Sequence, residues 1–290
     1  MKYQLYILFI LVNLLAVSCE KQISWDSENM PIMLVVEGSF TNEYKKQQVQ
    51  LSLSEDYFYN KPTPRVTGAI VTVSDGTDIF EFTENPDSSG IYETNAPVAG
   101  VPGKTYMLNI DLKEPVYNTT HYFASEKLIP GITLDSVLAN LYPNPLYGTA
   151  SDQDSLLIII TTLGQDPEEI HNYYQLNLYK NNMLINDTID EASVVDDKEG
   201  LNGQYVNSFF FFKQFDPGDT IQFEIISISR DYFDFVNSTE DLANQSFDPF
   251  NMSGPPSNAV GNIKGAPAIG FFNVAYVSRK TTVAQNYKEE

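Results

Sequence analysis

The chain of 290 residues has one cysteine, one tryptophan and two histidines. A lone thiol closes no internal disulfide, so any fold must rest on its apolar core. Basic residues are also scarce: Lys+Arg number 17 against Asp+Glu 38, a formal charge of −21. Contact with a phosphate backbone needs Lys and Arg to neutralise it, so nucleic acid is excluded as a partner class. The same deficit excludes a polybasic grip on anionic lipid. There is no G-x-S-x-G elbow for a serine hydrolase and no H-E-x-x-H or Cys/His cluster for zinc. What is abundant is apolar and aromatic: 42% hydrophobic residues, with Tyr 18 and Phe 18, enough for a sizeable core.

The N-terminus carries an address. Lys2 precedes an apolar run, Tyr6 to Leu15, which is too short to span a bilayer of about 30 Å as a helix. Ala16-Val17-Ser18-Cys19 follows, and Cys19 is the single cysteine. Small residues before a cysteine after such a run resemble a bacterial lipoprotein signal, with cleavage before Cys19 and acylation (palmitate among the chains) of its thiol and new amine. An ordinary secretory signal with a coincidental cysteine and an uncleaved anchor are the bland alternatives. Two or more acyl chains anchor a protein stably. Residues 1–18 contain only Lys2 as a charged residue, so their loss takes the charge from −21 to −22. Residues 19–31 read as a lipidated tether.

From residue 32 the pattern is that of an all-β protein. Val49, Leu51 and Leu53 alternate with polar residues, as do Ala69, Val71 and Val73, and then Tyr106, Leu108, Ile110 and Leu112. Asp75-Gly76 and Pro102-Gly103 supply turns. Short strands at this spacing predict a β-sandwich over 32–130. After the Pro/Gly connector near 128–133, a second sandwich-like domain is predicted over 131–290. Leu156 to Thr162 reads as a strand buried on both faces. Asn181-Asn182 is a turn, Asp187 to Gln204 an exposed acidic loop, and Ala268 to Val277 the final strand. One helix is expected near 230–242, from the spacing of Tyr232, Phe233, Phe235, Val236 and Thr239.

The chemistry on offer is sparse. His121 and His171 fall in different predicted domains, and His121 reads as a strand surface residue. The acidic groups Asp152/Asp154, Asp166/Glu168/Glu169, Asp187/Asp190 and Asp196/Asp197/Glu199 could hold Ca²⁺, but none follows the EF-hand spacing. They are read as solvated loops, with no metal and no cofactor expected. Phe209 to Phe212 must send alternate rings to opposite faces of a strand, and the outer pair needs a cover, from the 230–242 helix or a partner. Tyr57, Phe58 and Tyr59, before Pro62 and Pro64, suit ligand or protein contact; the alternative is a plug at the sandwich end.

The segments Gly68 to Gly76 (GAIVTVSDG), Gly90-Ile91-Tyr92 and Pro102-Gly103-Lys104-Thr105-Tyr106 resemble transthyretin-like and carboxypeptidase-regulatory-like sandwiches. Taken with Leu34-Val35-Val36-Glu37-Gly38, Thr41-Asn42, Asp166 to Tyr174, Gly218-Asp219, Asn262-Ile263-Lys264-Gly265 and Gly270-Phe271-Phe272, the order resembles the Bacteroidetes envelope lipoproteins of domain of unknown function family 4249. His171 departs from the small or acidic residue expected there. The resemblance implies a non-catalytic outer-membrane lipoprotein serving a TonB-dependent receptor as an accessory or ligand-binding subunit. A stand-alone carbohydrate- or peptide-binding surface protein and an envelope hydrolase are the alternatives.

Overall fold

A computed structural model describes residues 31–55, 62–143, 156–167, 171–188, 193–197, 203–211, 215–245 and 258–287. Residues 32–290 cluster as one compact unit. The fold is all-β with one helix among the described residues, and its mixed sheets stack in a sandwich-like arrangement.

The first part of the chain forms β1 (Leu34–Thr41), β2 (Gln48–Leu53), β3 (Ile70–Ser74), β4 (Ile79–Glu84), β5 (Ile91–Thr94), β6 (Thr105–Val116) and β7 (Thr119–Lys127). Their alternating residues, among them Val36, Phe40, Val49, Leu51, Val71, Val73, Leu108 and Ile110, are buried in a common core. The motif tyrosines do more than fill space. Tyr92, fully buried, accepts from the Ala69 amide at 3.0 Å and donates to the Val66 carbonyl at 3.0 Å. Tyr106 accepts from the Val101 amide at 2.7 Å. Each phenol thus ties a loop to the core and satisfies backbone groups that burial would otherwise leave unpaired.

The second part comprises β8 (Thr133–Pro143), β9 (Leu156–Asp166), β10 (Tyr173–Lys180), β11 (Met183–Leu184), β12 (Ser193–Asp196), β13 (Gly203–Phe211), β14 (Thr220–Ile228), α1 (Arg230–Gln245), β15 (Ala268–Val283) and β16 (Gln285–Asn286). A second core gathers Ile132, Leu141, Ile158, Ile160, Leu176, Phe215, Phe223 and Ile225. Asn181 and Asn182, both at positive φ, make the tight turn between β10 and β11. The larger sheet runs β11-β10-β14-β15-β1-β2-β5-β4-β3-β6-β7, with β12 also on β10; the smaller runs β13-β9-β8-β16.

β15 links the two cores. It lies parallel to β1 and antiparallel to β14, and contributes Phe272 and Val274 to the first core. The join is close: Gly270 has φ 95°, and a Cβ there would sit 2.1 Å from the Val36 carbonyl oxygen. Two asparagines flanking it act as surrogate strand partners. Asn262 exchanges two hydrogen bonds with the main chain of Phe272, and Asn42 does the same with Val277.

Three expectations are corrected. β9 is amphipathic: Ile158, Ile160 and Thr162 are buried, Ile158 and Ile160 in the core shared with β10 and β14, whereas Ile159 and Thr161 point to the other face and are only half-buried. The stretch 187–204 is not one loop: β12 forms within it by pairing with β10, and β13 begins at Gly203. The helix does not cover the phenylalanine run. Phe209 and Phe211 pack on Phe223, Phe210 remains 58% exposed, and α1 lays Phe233 on Tyr173 and Tyr232 and Phe235 on Phe271. Ser229 caps α1, its hydroxyl accepting from the Tyr232 amide at 3.1 Å.

Candidate functional site

β9 ends at Asp166, and the chain re-enters the described structure at His171 and Asn172, just before β10. β12 pairs antiparallel with β10, Tyr173 opposite Asp196. That register sets Asp197 beside Asn172. The Asn172 amide donates to Asp197 Oδ1 at 2.7 Å, and the Asp197 amide donates to the Asn172 carbonyl at 3.2 Å. His171 Nε2 lies 2.5 Å from Asp196 Oδ1 and 3.9 Å from Asp197 Oδ1. Its ring stacks on Tyr173 at 4.9 Å, and Tyr173 in turn rests on Phe233 of α1. Across the sheets, the Tyr174 hydroxyl donates to Asp166 Oδ1 at 2.8 Å.

These carboxylates are not solvated, contrary to the sequence reading. Asp166 is 5% exposed, and the side chains of Asp196 and Asp197 are 16% and 12% exposed. Pairing of β12 with β10 folds the acidic stretch inward. Asp187 of the same stretch stays exposed. Burial pushes the Asp166 carboxyl above its usual range, against the pull of the Tyr174 donor. It raises Asp197 likewise; the Asn172 amide pulls that group down, and the negative charge of Asp166 pushes it up. Burial, then the adjoining Asp166, raises the Tyr174 phenol strongly.

Several polar atoms here have no partner. Asp166 Oδ2, Asp197 Oδ2 and both amide atoms of Asn172 are buried without a hydrogen bond. Asn172 faces Asp166 and Tyr174 yet meets neither in hydrogen-bonding geometry. One donor atom each from His171, Asp196 and Asp197 lies within 4.8 Å of the others, the spacing of ligands around one ion. Sequence reading put Asp166 and Asp196/Asp197 in two separate acidic groups, weighed His171 apart from both and did not single out Asn172. The only signal for their convergence was the unusual histidine at 171.

Other candidates fare differently. His121 is an exposed β7 residue whose Nδ1 meets Asp111 Oδ1 at 2.9 Å. Cys19, Tyr57, Phe58, Tyr59, Asp152, Asp154, Glu168, Glu169, Asp190, Glu199 and Phe212 lie outside the described residues. On the smaller sheet, Leu138, Ile159, Leu163, Val206 and Phe210 share the face turned away from the core, with Leu138, Val206 and Phe210 exposed at 45%, 59% and 58%.

Residues 20–281 match the family described as Domain of unknown function (DUF4249). The chain belongs to that family. No curated protein matches it.

Proposed function

We propose that this chain is an outer-membrane lipoprotein, acylated at Cys19, whose β unit binds a partner as an accessory or ligand-binding subunit of a TonB-dependent transporter. The match to the family begins at residue 20, one position after Cys19, and the compact unit begins at Ile32. Both bounds support a leader, an anchor and a spacer. Residues 20–31 would reach at most about 40 Å when extended.

The observation that carries the binding role is the outward face of the smaller sheet. In a chain of charge −21, Leu138, Val206 and Phe210 expose apolar surface with Thr161 and Ser208 between them, whose hydroxyls meet at 3.1 Å. An apolar patch rimmed by polar groups is the usual make-up of a protein contact, and aromatic residues supply its anchors. The neutral receptor-binding patch would avoid electrostatic attraction, which this surface cannot offer to an acidic partner. Tyr57, Phe58 and Tyr59 form the second proposed contact.

Two variants test this reading. Cys19→Ala releases the protein from the membrane fraction, because acyl burial supplies the anchoring energy; retention at high salt contradicts the anchor. Val206→Ser/Phe210→Ser abolishes co-purification of a barrel receptor in detergent while shifting stability by about 0.5 kcal/mol or less, as exposed sites do. Wild-type protein that purifies without any barrel partner would favour the stand-alone binding protein.

A further inference from the structure

We infer that β13 is a self-pairing edge: a second copy of this chain adds its own β13 antiparallel about a two-fold axis at Ser208, joining the two smaller sheets into one. The other sheet edges are blunted. The smaller sheet ends on its far side in β16, two residues long, and the larger sheet ends at β11 and β12, of two and four residues, and at β7. β7 carries His121, Glu126 and Lys127, and its Phe123 exchanges main-chain hydrogen bonds with Lys264 at 3.0 and 2.8 Å. Short, charged or covered edges resist pairing with another chain. Among the described residues β13 has none of these protections. It runs for nine residues, Gly203–Phe211, without a charge or a proline, and β9 alone lies beside it. Val206, Asn207 and Ser208 are exposed in succession, so both faces at the middle of the strand meet solvent.

Two side-chain bonds show which way the main-chain groups point. The Asn207 carbonyl accepts from the Thr162 hydroxyl at 3.4 Å, so it faces β9. In a planar trans peptide the N–H of the following residue points the opposite way, which turns the Ser208 amide to the open margin. There it donates to Asn207 Oδ1 at 2.7 Å, a neighbour's side chain standing in for a strand. β13 pairs with β9 without a register shift from Gly203 to Phe211. Alternation therefore turns the N–H and C=O of Val206 and Phe210 to the same margin as those of Ser208. An antiparallel neighbour needs such groups on every second residue. With the two-fold at Ser208, that residue meets Ser208 of the second copy, and Val206 meets Phe210 of the second copy, each as a pair that exchanges both bonds.

The side chains select a second copy as the occupant. On the outward face Ile159 lies beside Phe210, and Leu163 beside Val206. The same two-fold sets Phe210 against Val206 of the second copy. Each apolar row then runs from Ile159 and Phe210 of one copy into Val206 and Leu163 of the other. An aromatic ring opposite a β-branched residue is a favourable cross-strand pair. A two-fold interface requires a surface that complements itself, and this register provides one. An axis at Asn207 would set Val206 against Ser208 and break both rows. Two chains of −21 repel each other, but β13 brings no charge to the seam, and salt screens the remaining long-range repulsion. A single strand pair is small beside the roughly 1,200 Å² of a stable interface, so the pairing is weak and concentration-dependent. It uses the margin of the smaller sheet and leaves the outward face open, so it stands apart from the receptor-binding reading.

The test uses the full chain in detergent, with Cys19→Ala so that an introduced cysteine is the sole thiol. Ser208→Cys should oxidise to a covalent dimer, because residues paired by both bonds place their Cα atoms about 5.5 Å apart, within disulfide reach. Val206→Cys should cross-link roughly tenfold more slowly or less, its twin lying roughly 14 Å further along the strand. Without an introduced cysteine, the protein should sediment as a monomer when dilute and shift toward a dimer as concentration rises, the more so in about 0.5 M NaCl than in about 0.05 M. Ser208→Pro removes an N–H that β9 does not use; it should abolish that shift while the thermal midpoint moves by only a few degrees. The cross-linking rates do not depend on the proline variant folding. Sedimentation independent of concentration up to about 1 mM, equal cross-linking at 206 and 208, or a dimer that persists in folded Ser208→Pro would overturn the inference. No barrel partner enters these measurements, so a monomer that still co-purifies with a receptor contradicts self-pairing and leaves the receptor-binding reading standing.

Discussion

Three carboxylates are shut away from solvent, Glu224 on the larger sheet and Asp166 and Asp197 beside its margin, and the chain treats them in opposite ways. Glu224 of β14 is 4% exposed and fully engaged: Arg279 Nε lies 3.2 Å from Oε1, Gln222 donates at 3.0 Å, and Asn177 and Tyr179 donate to Oε2 at 3.2 and 3.3 Å. Arg279 also pairs with Glu43, tying β15 to the loop after β1. Asp197 and Asp166, at the β10–β12 margin, have no Lys or Arg partner among the described residues and leave an oxygen each without a hydrogen bond. A fold that needed only a polar plug at that margin could have completed the network there, as it does at Glu224. The difference separates architecture from site: the Glu224 network serves the protein's own strands, while the Asp166–Asn172–Asp197 group keeps bonding capacity in reserve.

The largest expected effect falls on the architectural side. Arg279→Met strips Glu224 of its only cationic partner among the described residues and should lower the unfolding free energy by roughly 2–3 kcal/mol in urea titrations. That is below the range for a fully buried pair, because Arg279 is 41% exposed. A loss under about 0.5 kcal/mol would break the comparison, since Glu224 would then need no partner either. Asp75 gives a milder check on another fully partnered carboxylate. It accepts from the Asp78 amide at 2.8 Å, from Lys104 Nζ at 2.5 Å and from the Thr77 amide at 2.9 Å, and these donors, the Asp78 amide foremost, hold its pKa at about 2. A lowered folded value stabilises the protein above the unfolded value near 4, and that contribution is lost as pH falls through about 2. Asp75→Asn should therefore flatten the acid limb of stability against pH between about 4 and 2, relative to the parent. An unchanged slope would mean the turn contacts do not hold the charge.

Much of the β architecture was legible because it is local. Val49/Leu51/Leu53 and Tyr106/Leu108/Ile110 bury the residues that period-2 alternation assigns, and Asn181-Asn182 turns where its chemistry demands. Pairings of high sequence separation were not legible. Nothing in Leu34–Thr41 announces Ala268–Val283 as its parallel neighbour, and Asn42 and Asn262 read as loop residues, although each completes the ladder of a distant strand. The candidate site was hidden for the same reason. Asp166, His171–Asn172 and Asp196–Asp197 meet only because β12 pairs back onto β10, and an acidic stretch between 187 and 204 looks like a solvated loop until that pairing is known. Asn172 carried no signal at all, since its role lies in bonds its side chain does not make.

The smallest expected change is also the most direct test. Asn172→Leu exchanges the unpartnered amide, 1% exposed, for an apolar side chain and keeps the main-chain bond to Asp197. Measured by urea unfolding of the full chain in EDTA, the account predicts a free energy equal to that of the parent or up to about 1 kcal/mol higher, because removing a buried group that bonds to nothing removes only its desolvation cost. A loss of about 2 kcal/mol or more, reproduced by the smaller Asn172→Ala, would show that the amide is already satisfied within the fold and that the cluster is architecture like Glu224.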